Sequence, residues 1–90
     1  MLNTLESLFI LARKRKSSPA DSSYTNKLLN DKLLSKAKVL EEINELVEAV
    51  EKDSNKIHEA ADVIYHLMVY LETNNIKIED VMNELKKRQK

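Results

Sequence analysis

Ninety residues, 42% hydrophobic and 33% charged with a formal net charge of zero, fit one small domain and give no global field toward nucleic acid or an anionic membrane. Cysteine is absent, which excludes disulfide frameworks, thiolate metal sites and thiol nucleophiles. Glycine is absent too and Pro19 is the single proline, so helix breakers are nearly missing and helix is the default state.

In chain order, the first helix is expected from Asn3 or Thr4 to Lys16, with Leu5, Leu8, Phe9 and Ala12 on one stripe at helical spacing. It ends in Arg13-Lys14-Arg15-Lys16, cations that suit a helix C-terminus, with Pro19 as a stop signal beyond. This basic run reads either as a solvated helix end or as a rim that attracts phosphate. It follows the apolar stretch, the reverse of a secretory signal, and the longest uncharged apolar run (Val63 to Leu71) is too short to span a bilayer. A cytoplasmic protein with no membrane and no nucleic-acid partner is expected. Ser17 to Asn30, centred on Pro19-Ala20-Asp21-Ser22-Ser23-Tyr24-Thr25, is expected to be a loop that either frames a binding site or only connects helices.

The second helix is expected from Asp31, a plausible cap, to Lys52. At about 100° per residue, Leu33, Ala37, Leu40, Ile43, Leu46, Val47 and Val50 share one face, expected to be core. Beside it runs a polar strip of Lys38, Glu42 and Glu45 above small Ala49, while Glu41 and Glu48 point further round. Asp53-Ser54-Asn55 makes a turn, and a third helix follows from about Ser54 to Thr73. Its expected core face is Ile57, Ala60, Ala61, Ile64, Leu67, Met68 and Leu71, with Val63, Tyr65, Val69 and Tyr70 spreading apolar surface around it. Only Glu59, Asp62 and His66 form a polar strip, and a helix apolar nearly all round is buried on more than one side. After Asn74-Asn75 a short fourth helix from Ile78 packs through Val81, Met82 and Leu85, and Lys86 to Lys90 form a solvated basic tail. The expectation is all-α: a small four-helix domain, completed by homodimerisation or a larger assembly.

The chemistry lies in two acidic blocks, Glu41-Glu42-Ile43-Asn44-Glu45 and Glu59-Ala60-Ala61-Asp62. Each carries acids three residues apart, one helical turn, on one side. A carboxylate among apolar neighbours is costly to desolvate unless a cation compensates. Two such helices can converge on a hard divalent ion such as magnesium, leaving positions open for phosphate and water. The competing reading is an ordinary solvated acidic face, in which Lys38 pairs with Glu42 or Glu45; it is weakest for Asp62, beside Val63, Ile64 and Tyr65. His66, one turn after Asp62, would hold it by a hydrogen bond, act as a ligand, or be a satisfied structural residue. His58 is expected to be exposed, and Tyr65 and Tyr70 to pack.

The two blocks match the EExxE…ExxD pattern of the all-α nucleotide pyrophosphohydrolases, the MazG-like superfamily. Within it, Ser23-Tyr24-Thr25 with Lys27-Leu28, Lys38-Val39 ahead of Glu41-Glu42, and Glu59-Ala60-Ala61-Asp62-Val63-Ile64-Tyr65-His66-Leu67 resemble phosphoribosyl-ATP pyrophosphohydrolase, of the second step of histidine biosynthesis. The likeness covers nearly the whole chain, with Leu40 standing where glycine is frequent. It implies hydrolysis of phosphoribosyl-ATP to phosphoribosyl-AMP and pyrophosphate, dependent on magnesium with manganese as a substitute. It also implies a helical homodimer, or a dimer of dimers, whose sites use both subunits. Carried over by position, Glu42, Glu45, Glu59 and Asp62 are the metal ligands. Glu41, Glu42 and Glu45 form the catalytic set, with Glu41 supporting or acting as base. Ser23, Tyr24, Thr25 and Lys38 would contact phosphate or ribose, with Arg13 and Lys14 as further phosphate contacts. A stand-alone form, without the family's usual cyclohydrolase fusion partner, is expected. A house-cleaning nucleoside triphosphate pyrophosphohydrolase and a non-catalytic helical interaction module are the alternatives.

Overall fold

Helical periodicity and, at two of the five helices, a side-chain cap account for the elements of the computed structural model, which describes residues 2–18 and 23–89. The elements are α1 (Asn3–Lys16), α2 (Tyr24–Leu29), α3 (Lys32–Lys52), α4 (Lys56–Thr73) and α5 (Ile78–Arg88). All regular structure among the described residues is helical, as expected.

The count differs by one short helix. Part of the segment expected to be a loop forms α2, because the Ser23 hydroxyl accepts the Asn26 amide N–H at 3.1 Å and caps it. Leu28 and Leu29 then become buried. Residues 19–22 of that expected loop lie outside the described residues. The α1 and α2 segments are stitched together by the buried Asn26 side chain, which donates to the carbonyls of Arg15 and Ser18 at 2.9 and 3.3 Å.

Asp31 caps α3 as expected, its carboxylate accepting the Leu34 amide at 3.0 Å. The helix ends at Asp53 in the left-handed region (φ 51°), and Ser54 N–H reaches back to the Ala49 carbonyl at 3.0 Å. Asn55, also left-handed at φ 55°, leads straight into α4. With only Asp53-Ser54-Asn55 between them, α3 and α4 form an antiparallel hairpin that is the backbone of the fold.

Two small cores hold the other helices to α4. Phe9, Met68 and Ile78 form one, with Leu5, Leu8, Leu71 and Val81 against it. Leu28, Leu29 and Val69 form the other, with Leu34 and Tyr65. Arg13 adds a polar clamp, its Nε donating to Glu72 at 2.9 Å and its Nη1 to Glu79 at 2.8 Å, which ties α1 to α4 and α5.

The face expected to be core on α3 is not core within the chain. Leu33, Leu40, Ile43, Val47 and Val50 are exposed, and Ser35, Val39 and Ala49 are the residues α3 buries. The same holds for Ile57, Ala61, Ile64 and Leu67 on α4, whereas His66, Met68, Val69, Glu72 and Thr73 are buried. The hairpin packs through the side that carries its polar strips and turns its apolar side outward. The surface is correspondingly large: 6763 Å², against roughly 5,400 Å² expected of a compact monomer of this mass.

Candidate active site

The inward side of the hairpin is the chemical side. Residues 42, 45 and 49 of α3 recur at the spacing of one helical turn, as do 59, 62 and 66 of α4, and the short turn sets the strips face to face. One ligand oxygen each from Glu42, Glu45 and Glu59 lies within 4.8 Å of the others. His58, Glu59 and Asp62 form a second such group, so Glu59 belongs to both. All four acids assigned as ligands from the sequence are thus gathered at one place.

The electrostatics are those of a site short of positive charge. Glu42 is raised above the usual carboxylate range, first by burial and then by repulsion from Glu45, with Asp62 adding to it. Glu59 is raised by burial, then by Glu45 and Asp62. Both keep one oxygen, Oε2, shielded from solvent and without a hydrogen-bond partner. Buried polar atoms are ordinarily paired. Two orphaned carboxylate oxygens among converging acids fit a hard divalent cation, which takes oxygen ligands and would offset the repulsion.

Glu41 is exposed on the flank and pairs with Lys38 at 3.3 Å, not with the cluster. Lys38 is thereby held beside the cleft, and its ammonium and Glu42 both act on the Tyr24 phenol. Ser23 is used as the α2 cap, while Tyr24 and Thr25 lean onto α4: Tyr24 Oη lies 3.1 Å from His66 Nε2, and Thr25 Oγ1 bonds the Tyr65 hydroxyl. Tyr24 and Lys38 thus lie within electrostatic reach of Glu42, while Ser23 is spent on the cap and Thr25 on Tyr65. Arg13 is engaged by Glu72 and Glu79, and Lys14 is exposed on α1.

Two roles were missed in the sequence. His58 is exposed as expected, yet its Nε2 lies 3.3 Å from an Asp62 carboxylate oxygen; the signal was their i, i+4 spacing. Tyr65 packs, but its hydroxyl also holds Thr25. His66 is a satisfied buried residue bonded to Asp62, as two of its expected readings had it, but through the backbone, its Nδ1 donating to the Asp62 carbonyl at 2.8 Å. A hollow lined by Glu45, Glu48, Ala49, Lys52, Asn55 and Glu59 extends the cleft toward the hairpin turn.

An α-hairpin presenting opposed carboxylates to one point defines a class of helical protein suited to hold a divalent cation beside a phosphorylated ligand. The sequence comparisons give that class a family. Residues 2–89 match the family described as phosphoribosyl-ATP pyrophosphohydrolase. A phosphoribosyl-ATP pyrophosphatase of Clostridium acetobutylicum is 46% identical over 93% of this chain and 79% of its own length. One of Bacillus cytotoxicus is 40% identical over 98% of this chain and 85% of its own. The histidine biosynthesis bifunctional protein HisIE of Caldanaerobacter subterraneus is 42% identical over 99% of this chain but only 45% of its own length. The chain belongs to the phosphoribosyl-ATP pyrophosphohydrolase family.

Proposed function

We propose that the chain hydrolyses phosphoribosyl-ATP to phosphoribosyl-AMP and pyrophosphate as a step of histidine biosynthesis. The observation that carries this reading is the convergence of Glu42, Glu45, Glu59 and Asp62 on one cleft, two of them with unpartnered buried oxygens, in a chain of this family. Glu42, Glu45, Glu59 and Asp62 would hold magnesium, with manganese as a substitute. The bound ion supplies charge neutralisation for the phosphates and a lowered pKa for water.

The chain's own groups account for the rest. Water adds to the α-phosphorus, the α–β bridging oxygen leaves with pyrophosphate, and a carboxylate not consumed in ligation accepts the water's proton. We assign that role, or support, to Glu41, which lies exposed on the flank and pairs with Lys38. Lys38 offers positive charge to the phosphates, and Tyr24 and Thr25 offer hydroxyl contacts at the rim.

The same reading includes a homodimer, with a dimer of dimers as the next assembly. The outward faces of α3 and α4 carry Leu40, Ile43, Val47, Ile57 and Ile64 in the open, an apolar row on each arm of one hairpin. A second copy presenting the same row is its natural cover. No helix among the described residues is long and apolar enough to cross a membrane, and the cysteine-free composition suits a cytoplasmic setting.

The test is magnesium-dependent pyrophosphate release from phosphoribosyl-ATP, run beside canonical and damaged nucleoside triphosphates, with Asp62→Asn as control. Preference for phosphoribosyl-ATP and loss in the variant support the reading. Preference for a triphosphate would transfer the same site to house-cleaning. No turnover of any of them, with no magnesium effect on melting, would leave a helical interaction module.

A further inference from the structure

His66 is buried, 7% exposed, and both ring nitrogens are committed. Its Nδ1 faces the Asp62 carbonyl at 2.8 Å, an atom that can only accept, so Nδ1 carries the proton. In the neutral ring Nε2 is then an acceptor, and the Tyr24 hydroxyl at 3.1 Å must donate to it. In that tautomer the phenol's proton points to His66, and its oxygen lone pairs are left for whatever sits in the cleft. Rings of Tyr24 and Tyr65 both meet His66 edge-on, at 5.9 and 4.9 Å between centroids, which leaves the imidazole little freedom to turn. Tyr65 repeats the arrangement next door, its hydroxyl bonded to Thr25.

We infer that His66 is a positioning residue for substrate: it anchors Tyr24 at the rim of the acidic cleft and orients the phenol oxygen as an acceptor. An acceptor suits a hydroxyl of the substrate's ribose better than a phosphate oxygen, which leaves phosphate to Lys38. Tyr65 performs the companion task for Thr25. Tyr24 and Thr25 open the six-residue α2, and these side-chain clasps, beside the core of Leu28, Leu29 and Val69, set its first turn against α4. The inference rests on the phosphoribosyl-ATP reading for the identity of the ribose, though not for the clasp.

The experiment compares Tyr24→Phe, His66→Asn, His66→Gln and the Tyr24→Phe/His66→Asn double variant in the intact chain. Asparagine reaches the Asp62 carbonyl but not Tyr24, whereas glutamine extends an acceptor to about where Nε2 lies. Tyr24→Phe and His66→Asn should each raise KM for phosphoribosyl-ATP about three- to tenfold, the weight of one hydrogen bond, with kcat within about twofold. The double variant should be no worse than either single one, and His66→Gln should restore KM. Hydrogen exchange should quicken at residues 24–30 in Tyr24→Phe and His66→Asn and return to normal in His66→Gln. Unchanged KM and exchange in both single variants, or effects that multiply in the double, overturn the inference. If the unaltered chain fails to turn over phosphoribosyl-ATP, the substrate reading falls, and exchange alone decides the clasp.

Discussion

Glu42 on α3 and Glu59 on α4 each hold one carboxylate oxygen away from solvent and without a hydrogen-bond partner, and together with Glu45 they bring ligand oxygens within 4.8 Å of one another. Neither acid gains from this arrangement by itself. Burial and mutual repulsion push both above the usual carboxylate range. Such a pair is unfavourable to the bare fold and favourable to a cation.

Magnesium should therefore stabilise the chain strongly. At a concentration about a hundredfold above its Kd the gain is about 2.7 kcal/mol, a shift of roughly 10 °C or more for a domain of this size. The sign with pH follows from raised carboxylates: the contribution of Glu42 and Glu59 to the cation-free fold is fully present below the ordinary carboxylate value of 4.5 and is lost as pH climbs through their folded-state values. The magnesium-induced shift should grow over the same window, because only ionised ligands bind. Glu59→Gln should raise the cation-free melting temperature, abolish the magnesium shift and lower activity by roughly a hundredfold or more. Thermal scans with and without magnesium, at several pH values, decide it. A magnesium response intact in Glu59→Gln would remove this acid from the ligand set.

Periodicity made most of this legible. The stripes of α1, α3 and α4 and the acid spacing at 42, 45, 59 and 62 repeat over several turns, and a repeated pattern survives tertiary context. The six residues of α2 are too few to repeat anything, and the signal was a single capping serine. The misassigned face is more instructive. Periodicity correctly grouped Leu40, Val47 and Val50 on one side of α3, but a pattern says which residues travel together and not what meets them. The polar strip, not the apolar one, faces the rest of the chain. His66 shows the same limit, since a partner so far back in sequence as Tyr24 leaves no trace in spacing.

The outward apolar face should carry the assembly. Val47→Lys and Ile64→Lys alter residues that are 52% and 48% exposed in the single chain, so neither should disturb the isolated fold much. A buried lysine in a self-complementary interface costs about 2 kcal/mol or more per copy, enough to weaken association by well over tenfold. Sedimentation should give a dimer or dimer of dimers for the unaltered chain and a monomer for either variant. Unchanged assembly in both would place the contact elsewhere.

The Arg13 clamp predicts an acid-sensitive docking of α5. Hydrogen bonding to Arg13 pulls Glu79 from 4.5 down to about 2. A depressed carboxylate stabilises the fold above its unfolded value, and that support is lost as pH falls from about 4.5 toward 2. Glu79→Gln should flatten this part of the stability profile and hasten hydrogen exchange in α5 at neutral pH. Glu79 is largely exposed, so the effect on the global melting temperature should be slight. An acid profile identical to that of the unaltered chain would show that Glu72 alone carries the clamp.

The hairpin turn offers a stability gain tied to the same cleft. A chain without glycine places Asp53 and Asn55 in the left-handed region, at φ 51° and 55°, a conformation glycine adopts without steric cost. Asp53→Gly should stabilise the fold by about 0.5–1 kcal/mol, offset by a few tenths for the lost surface pair with Lys56. Asn75, left-handed at φ 58°, provides the contrast, because its side-chain oxygen accepts from Lys16 and Asn75→Gly should gain little or nothing. Since the turn sets Glu42 and Glu45 opposite Glu59 and Asp62, Asp53→Gly must also preserve magnesium binding if the left-handed geometry is what fixes their register. Denaturant melts of both variants, followed by magnesium titration of Asp53→Gly, measure the two effects separately. A stabilised variant with weakened magnesium affinity would mean that the aspartate, and not the backbone angle, holds the two acidic strips in line.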